Sequence, residues 1–89
     1  KSDMQFYFVY ILLSLRDKRF YIGQTNNLER RLSEHNQGKN ISTFVRRPLE
    51  LIFYEAYLNK KDALRREKYF KTTKGKTTLK QMLKEYLLA

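Results

Sequence analysis

The stretch that decides the fold lies near the amino terminus, where residues 6–13 read FYFVYILL and residues 19–23 read RFYIG. Aromatic and β-branched side chains dominate both segments, and such side chains favour β-strands. Only a short polar stretch centred on Asp17 and Lys18 separates the segments, so we expect them to pair as an antiparallel hairpin. The first segment is apolar at every position, which predicts a strand that is covered on both faces.

A helix and a third strand follow this hairpin. Either Asn26 or Asn27 can cap a helix that extends to about residue 37, because Leu28 and Leu32 recur at helical spacing. Gly38 is a natural stop for that helix. After a polar, basic loop, residues 49–57 alternate between apolar and polar side chains, which predicts a strand.

Two further helices complete the predicted order. Asn59 is the next candidate cap, and the helix after it extends to about residue 73. Its apolar side consists of Ala63, Leu64, Tyr69 and Phe70. Gly75 then breaks the chain, and regularly spaced apolar side chains over residues 79–87 predict the last helix. The sequence therefore predicts an α+β fold, in which a small three-stranded antiparallel sheet is flanked by about three helices in the order β-β-α-β-α-α.

The composition narrows the possible functions. The 89 residues include 19 Lys and Arg but only 9 Asp and Glu, a formal net charge of +10, which favours a polyanionic partner. With no cysteine and one histidine, the chain excludes disulfide scaffolds, thiol nucleophiles and metal sites built on cysteines or several histidines. The longest apolar run, residues 6–13, is far too short to cross a bilayer. We expect a single cytoplasmic domain over residues 4–89, with no membrane partner, and residues 1–3 to be an expression remnant.

Glu67 breaks the apolar pattern of the second predicted helix. It lies four residues after Ala63, so helical geometry places its carboxylate on or beside the side that faces the sheet. A buried carboxylate is costly unless it is paired or binds a cation. The pattern leaves two interpretations open, namely an ion pair with Arg65, Arg66 or Lys71, and a functional acid.

Four other polar side chains are candidates for the same site. Arg31 and His35 are four residues apart on the first predicted helix, so they project side by side, and a guanidinium can hold a phosphate by two hydrogen bonds. Tyr10 and Tyr21 lie on opposite arms of the hairpin. The pattern also allows a solvated helix face with a neutral surface histidine, and two core aromatics with their hydroxyls at the rim.

Four segments of the chain together resemble the GIY-YIG nuclease family. The two half-motifs correspond to FVY at residues 8–10 and YIG at residues 21–23, and the helix after them carries the family's Arg and His. ALRREK at residues 63–68 is similar to the later segment with the family's acid. The likeness extends from about residue 6 to residue 76 and is greatest to small stand-alone bacterial members. One departure is Phe8, which stands where the name-giving glycine would be.

The resemblance implies a metal-dependent endonuclease that hydrolyses DNA phosphodiester bonds. It implies catalytic roles for Tyr10, Tyr21, Arg31, His35 and Glu67, with one Mg²⁺ or Mn²⁺ on Glu67. Tyr10 would be the general base toward the attacking water, Tyr21 would position the water or the phosphate, and Arg31 would stabilise the phosphate. The two tyrosines could exchange roles. Because a free tyrosine has a pKa of about 10, we expect cationic neighbours to lower the pKa of the base.

Further contacts and alternative functions complete the predictions. We expect nucleic-acid contacts at Arg30, Lys39, Arg46, Arg47, Arg66 and Lys74. The loop after the first helix offers Ser42, Thr43 and Phe44 as further participants. The first alternative is a module of the same fold that binds nucleic acid but cuts weakly or not at all. The second is a basic RNA-binding domain that stacks bases on Phe20, Phe44 and Tyr54. We expect a monomer or a weak homodimer.

Overall fold

Three strands, four α-helices and one short 3₁₀ helix make up the structure, a computed structural model that describes residues 4–89. The expected remnant at residues 1–3 lies outside the described residues. The elements are β1 (Tyr7–Ser14), β2 (Phe20–Thr25), α1 (Leu28–Asn36), a short 3₁₀ helix (Phe44–Arg46), β3 (Leu49–Tyr57), α2 (Lys60–Phe70), α3 (Thr73–Met82) and α4 (Lys84–Leu88). The strands form one antiparallel sheet in the order β2-β1-β3, which confirms the predicted α+β fold. No helix within the described part of the chain is long and apolar enough to cross a membrane.

The central strand β1 has different surroundings on its two faces. Val9 and Ile11 pack with Phe70 in an apolar core that α2 and α3 close. Tyr10 and Leu12 point to the opposite face, where leucines of α1 pack against them. Successive side chains of a strand alternate between faces, so the continuous apolar run of β1 corresponds to burial on both sides.

Two asparagines fix where α1 and α2 begin. The side chain of Asn27 accepts a hydrogen bond from the backbone N–H of Arg30, and that of Asn59 accepts one from Lys61. These bonds satisfy donors that a helix start leaves without intrahelical partners. The cap at Asn27 lies two residues after the end of β2, so the first helix starts beside the edge of the sheet.

The sequence pattern predicted that Gly75 breaks the chain, and this prediction was wrong. It lies in the first turn of α3, where its N–H donates to the Thr72 hydroxyl at 2.9 Å. Gly75 is buried, and a Cβ at this position would overlap the carbonyl oxygen of Tyr69. The glycine therefore allows α3 to pack directly against the end of α2, a tertiary requirement that the pattern alone does not distinguish from a helix stop.

The predicted apolar sides of the later helices were partly wrong. Leu64 is 42% exposed, although the pattern placed it on the buried side of α2. The apolar stripe of residues 79–87 is divided between α3 and α4, and of its members only Leu79 is fully buried. A three-stranded sheet offers a narrow apolar face, which is too small to cover the whole stripe.

Candidate active site

A buried chain of hydrogen bonds links side chains from β1, α1 and the loop after α1. Tyr10 Oη and His35 Nε2 are 2.9 Å apart, and His35 Nδ1 and Thr43 Oγ1 are 2.7 Å apart. All three residues are at most 1% exposed. Both ring nitrogens of His35 therefore have the partners that buried polar groups require. The interpretation of His35 as a surface histidine was wrong.

Among the three loop candidates, the structure brings Thr43 into this chain. Ser42 and Phe44 are exposed, and the guanidinium of Arg47 lies 4.5 Å from the centre of the Phe44 ring. Thr43 immediately precedes the 3₁₀ helix, which directs the hydroxyl of Thr43 and the ring of Phe44 to different surroundings. Only the path of the loop decides which of these neighbouring residues reaches His35.

Tyr21 and Gly23 of β2 complete the surroundings of the Tyr10 phenol. The Tyr21 ring centre is 6.4 Å from that of Tyr10 and 5.0 Å from that of His35. Gly23 is the register partner of Tyr10, and a Cβ on Gly23 would overlap the phenol ring and its oxygen. The glycine that closes the second half-motif thus leaves room for the Tyr10 phenol to lie over the edge strand.

Arg31 lies one helical turn before His35 and keeps one donor without a partner. One of its terminal nitrogens is 3.2 Å from Oε1 of Glu34, whereas its Nε is buried and has no hydrogen-bond partner among residues 4–89. The neighbouring Tyr10 and Glu34 side chains raise the pKa of Arg31, which remains cationic. The buried Nε is a donor that an anionic oxygen could satisfy.

A cavity of about 240 Å³ opens beside Arg31 at the end of β2. Three cations line it, namely Arg30, Arg31 and Lys60. Lys60 was not among the predicted site residues. It enters the cavity because α2 begins next to this end of the sheet, and no local pattern relates residue 60 to α1. Three cations around one small cavity are suited to a phosphate group.

Burial shifts the pKa values of the two linked groups in opposite directions. It raises the pKa of Tyr10 to about 12, and the opposing effect of Arg31 is smaller. Burial lowers the pKa of His35 below 6.5, and the positive charge of Arg31 adds to this effect. Arg31 lowers the pKa of Tyr10, as expected of a cationic neighbour, but the loss of solvation outweighs this effect. His35 is neutral at pH 7.

Glu67 lies at the margin of the buried side of α2, as its spacing predicted. Its side chain is 19% exposed, and its Oε2 is 3.1 Å from Nζ of Lys71, so one of the predicted ion pairs is present. Its negative charge also raises the pKa of Tyr10, so the acid lies within electrostatic reach of the phenol. Within residues 4–89 no three His, Asp or Glu side chains cluster to hold a metal. A lone carboxylate fits an ion that keeps its waters and gains oxygens from a substrate phosphate.

The six predicted nucleic-acid contacts have different surroundings. Arg46 is 2.7 Å from a carboxylate oxygen of Asp17, and Arg66 is 2.9 Å from one of Glu55. These acids neutralise both arginines. The remaining four are Arg30, Lys39 and Lys74, which are exposed, and Arg47, which is half-buried. Positions 30, 39 and 74 therefore keep the accessibility that contact with a nucleic-acid backbone requires.

Comparison with protein families identifies the domain. The family described as the GIY-YIG catalytic domain matches residues 6–81, which include all the elements from β1 to most of α3. The chain belongs to this family. The predicted resemblance is confirmed, and with it the assignment of the chain to a family of nuclease domains.

The relatives of this GIY-YIG domain include small UPF0213 proteins. The UPF0213 protein YazA of Bacillus subtilis is 44% identical over 66 residues, which cover 73% of this chain and 66% of YazA. A UPF0213 protein of Staphylococcus haemolyticus is 38% identical over 77 residues, which cover 85% of this chain and 93% of that protein. The chain spans just under two thirds of the length of YazA.

A solved structure has a similar fold. The solution NMR structure of a UPF0213 protein from Bacillus halodurans matches with a TM-score of 0.55 and 31% sequence identity. The match covers 86% of this chain and 84% of that protein. The GIY-YIG fold described above is therefore shared with a structure determined by experiment.

Proposed function

We propose that this GIY-YIG domain is a metal-dependent endonuclease that hydrolyses phosphodiester bonds in DNA. The observation that carries the proposal is the buried chain from Tyr10 through His35 to Thr43, which lies next to the Arg31 guanidinium. Hydrolysis of a phosphodiester needs a group that takes a proton from water and cations that stabilise the phosphate. This edge of the sheet supplies both.

Tyr10 takes a proton from the attacking water while its own proton passes to His35. A phenol with a pKa of about 12 is almost fully protonated at neutral pH, so it acts as a base only if another group accepts its proton. His35 is suited to this, because its ring is neutral and its Nε2 is 2.9 Å from the phenol oxygen. In the tautomer that this transfer needs, Nδ1–H donates to Thr43 Oγ1.

Arg31, with Arg30 and Lys60, holds the phosphate in the adjoining cavity. The Arg31 guanidinium lines this cavity and donates to a phosphate oxygen that binds there. Charge builds on the phosphate oxygens in the transition state, and a guanidinium fixed by Glu34 stabilises that charge without rearrangement. Tyr21, whose ring lies against His35, positions the water or the phosphate.

Glu67 would hold one Mg²⁺ or Mn²⁺. When bound, such an ion stabilises the negative charge on the phosphate and on the leaving 3′ oxygen. Lys71, the present partner of Glu67, has a side chain that is 56% exposed, so it can turn to solvent when the carboxylate binds an ion. A single carboxylate is sufficient for an ion that keeps several of its waters.

The test compares two glutamates with similarly exposed side chains at different positions. Glu67 and Glu55 are 19% and 20% exposed, and each forms an ion pair, but only Glu67 acts on Tyr10. Plasmid, single-stranded and branched DNA are incubated with each protein in Mg²⁺, in Mn²⁺ and in chelator. We expect Glu67→Gln to bind DNA with near-normal salt dependence and leave it uncut, whereas Glu55→Gln cuts like the unsubstituted protein.

Three other results would assign a different function. DNA binding by the unsubstituted protein without cleavage in either metal would identify a nucleic-acid-binding module of the same fold. Preference for RNA in a competition titration would favour an RNA-binding domain. Equal cleavage by Glu67→Gln and the unsubstituted protein would show that the cutting activity resides elsewhere or comes from a contaminant.

A further inference from the structure

A second groove lies on the face of the sheet opposite the Tyr10 site. It has a volume of about 880 Å³ and runs between the β1–β2 turn and the helices α3 and α4. Apolar side chains, including Leu13, Phe20 and Leu87, form part of its lining. The cations Lys18, Arg19, Lys76, Lys80 and Lys84 line it as well. The groove thus combines an apolar surface with a dense set of positive charges.

Within residues 4–89, acids compensate few of the positive charges of this groove. Asp17 and Arg46 also line it, but they form an ion pair with each other at 2.7 Å. None of the other five cations forms an ion pair with an acid in the described residues 4–89. The groove is therefore complementary to a polyanion. It is unsuited to a second copy of this chain, which itself carries a net charge of +10.

We propose that this groove binds an unpaired strand of nucleic acid. The strand's phosphates contact the lysines, and its bases lie on Phe20 and the neighbouring apolar side chains. A duplex has its base faces stacked inside, so it would contact the lysines but leave the apolar surface without a ligand. A single strand uses both parts of the groove.

The position of the groove deepens the proposed function, on which this part of the inference rests. Phe20 and Tyr21 are consecutive residues of β2, which is an edge strand, so their side chains point to opposite faces of the sheet. A strand that passes around this edge reaches the groove on one face and the Tyr10 site on the other. The groove lies at the start of β2 and the Arg31 cavity at its end, so the substrate class is nucleic acid with a single-stranded segment a short distance from the cleaved bond.

The experiment uses two pairs of exposed helical lysines. Lys80→Gln with Lys84→Gln removes two charges from the groove, and Lys61→Gln with Lys68→Gln removes two from the outer surface of α2. Binding of a labelled oligothymidylate is measured by fluorescence anisotropy in chelator over a range of salt concentrations. We expect the groove pair to bind roughly 25-fold more weakly at 0.1 M salt, with a salt slope smaller by about 1.4. The α2 pair should lose far less.

Phe20→Leu tests the apolar part of the groove separately. Leucine keeps the contact of Phe20 with the core but removes the aromatic face, so we expect single-strand binding to weaken about tenfold and duplex binding to change little. Circular dichroism of each variant checks that it is folded.

Defined results would overturn the inference. Equal losses for the two lysine pairs would show that only overall charge matters, and equal losses for single strand and duplex would remove the case for an unpaired strand. A change of oligomeric state in the groove pair alone, seen by sedimentation, would identify a surface between copies. Cleavage is read out separately. If Glu67→Gln still cuts DNA, the proposed function fails while the groove result stands. If the groove pair binds oligothymidylate normally, the groove inference fails while the proposal for the Tyr10 site stands.

Discussion

The two faces of strand β1 are stabilised by different forces. On one face, Val9 and Ile11 contact an apolar core closed by Phe70, where attraction depends on buried area and has no fixed direction. On the other face, Tyr10 donates to or accepts from His35 in a buried chain, which is stable only while every polar group keeps its partner. The Val9 face, here called the apolar face, stabilises the fold. The Tyr10 face, here called the polar face, also buries leucines of α1, but its hydrogen bonds set the geometry of the site. Substitutions on the two faces should therefore separate stability from activity.

The largest effect on stability is expected from Phe70→Ala on the apolar face. Phe70 is fully buried between the sheet and α3, so its truncation leaves a cavity and should lower the free energy of unfolding by roughly 4 kcal/mol. Denaturant titration measures the loss. Cleavage per folded molecule, assayed at low temperature, should stay within a few-fold of normal. If this rate falls as steeply as it does for Glu67→Gln, the two faces are not separable.

Gly23→Ala should act on the polar face, with a smaller cost in stability. The added Cβ overlaps the Tyr10 phenol, so the ring must move away from His35, at a cost of roughly 1–3 kcal/mol in the free energy of unfolding. Displacement of the phenol, which takes the proton from the attacking water, should lower the cleavage rate by about 100-fold or more. Denaturant titration and single-turnover cleavage measure the two effects. A variant that is destabilised but cuts normally would show that the position of the phenol is not important.

Thr43→Val should have a still smaller effect. Valine fills the same volume but leaves Nδ1 of His35 buried without a partner, which costs about 1–2 kcal/mol of stability. It also removes the preference for the tautomer that accepts the Tyr10 proton, so cleavage should fall about tenfold and the pH profile should shift. Thr43→Ser restores the hydroxyl and should recover the rate. Failure of serine to rescue would indicate a packing role alone.

The smallest expected effect is a pH dependence that belongs to the polar face. His35 is the only histidine, and burial lowers its pKa in the folded protein below 6.5. Below about pH 6.5 the unfolded chain binds a proton that the folded protein does not. Stability is therefore complete above about pH 6.5 and falls as the pH approaches the folded pKa, by at most about 1.4 kcal/mol per pH unit.

Denaturant titrations at about pH 7.5 and pH 5.5 measure this loss, and the variant His35→Gln provides the control. Because glutamine does not titrate, the variant should have the same stability at both values, although a lower one overall. Cleavage by the folded, unsubstituted protein should decline only at lower pH, near the folded pKa of His35, because the ring stays neutral above that pKa and protonated His35 cannot accept the Tyr10 proton. An equal loss of stability in His35→Gln would attribute the effect to other groups.

Much of the fold could be predicted because its signals are local. The aromatic and β-branched run of β1, the short polar turn and the caps at Asn27 and Asn59 each depend on neighbours within a few residues. Gly75 shows where this reasoning fails. A glycine at a helix stop and a glycine at a helix contact look alike in sequence, and only the approach of α3 to Tyr69 distinguishes them.

The candidate site also has features that the sequence predicts and features that it does not. The residue types of Tyr10, Arg31 and Glu67 and their family resemblance are readable from the chain, as is the spacing that places Glu67 beside a buried stripe. The partners were not readable. Asp17, which neutralises Arg46, is 29 residues away from it in sequence, and Thr43 rather than Ser42 reaches His35. Lys60 joins the Arg31 cavity from the start of another helix.

The sequence by itself determined the order of the elements, the family and the excess of positive charge. The tertiary structure alone decided that His35 is buried, that the pKa of Tyr10 rises to about 12, and that one groove holds five cations without an acidic partner among residues 4–89. The physical reason is the separation along the chain over which each interaction acts. Propensities, caps and periodicity act between near neighbours, whereas desolvation, charge pairing and hydrogen bonding depend on which distant segments the fold brings into contact.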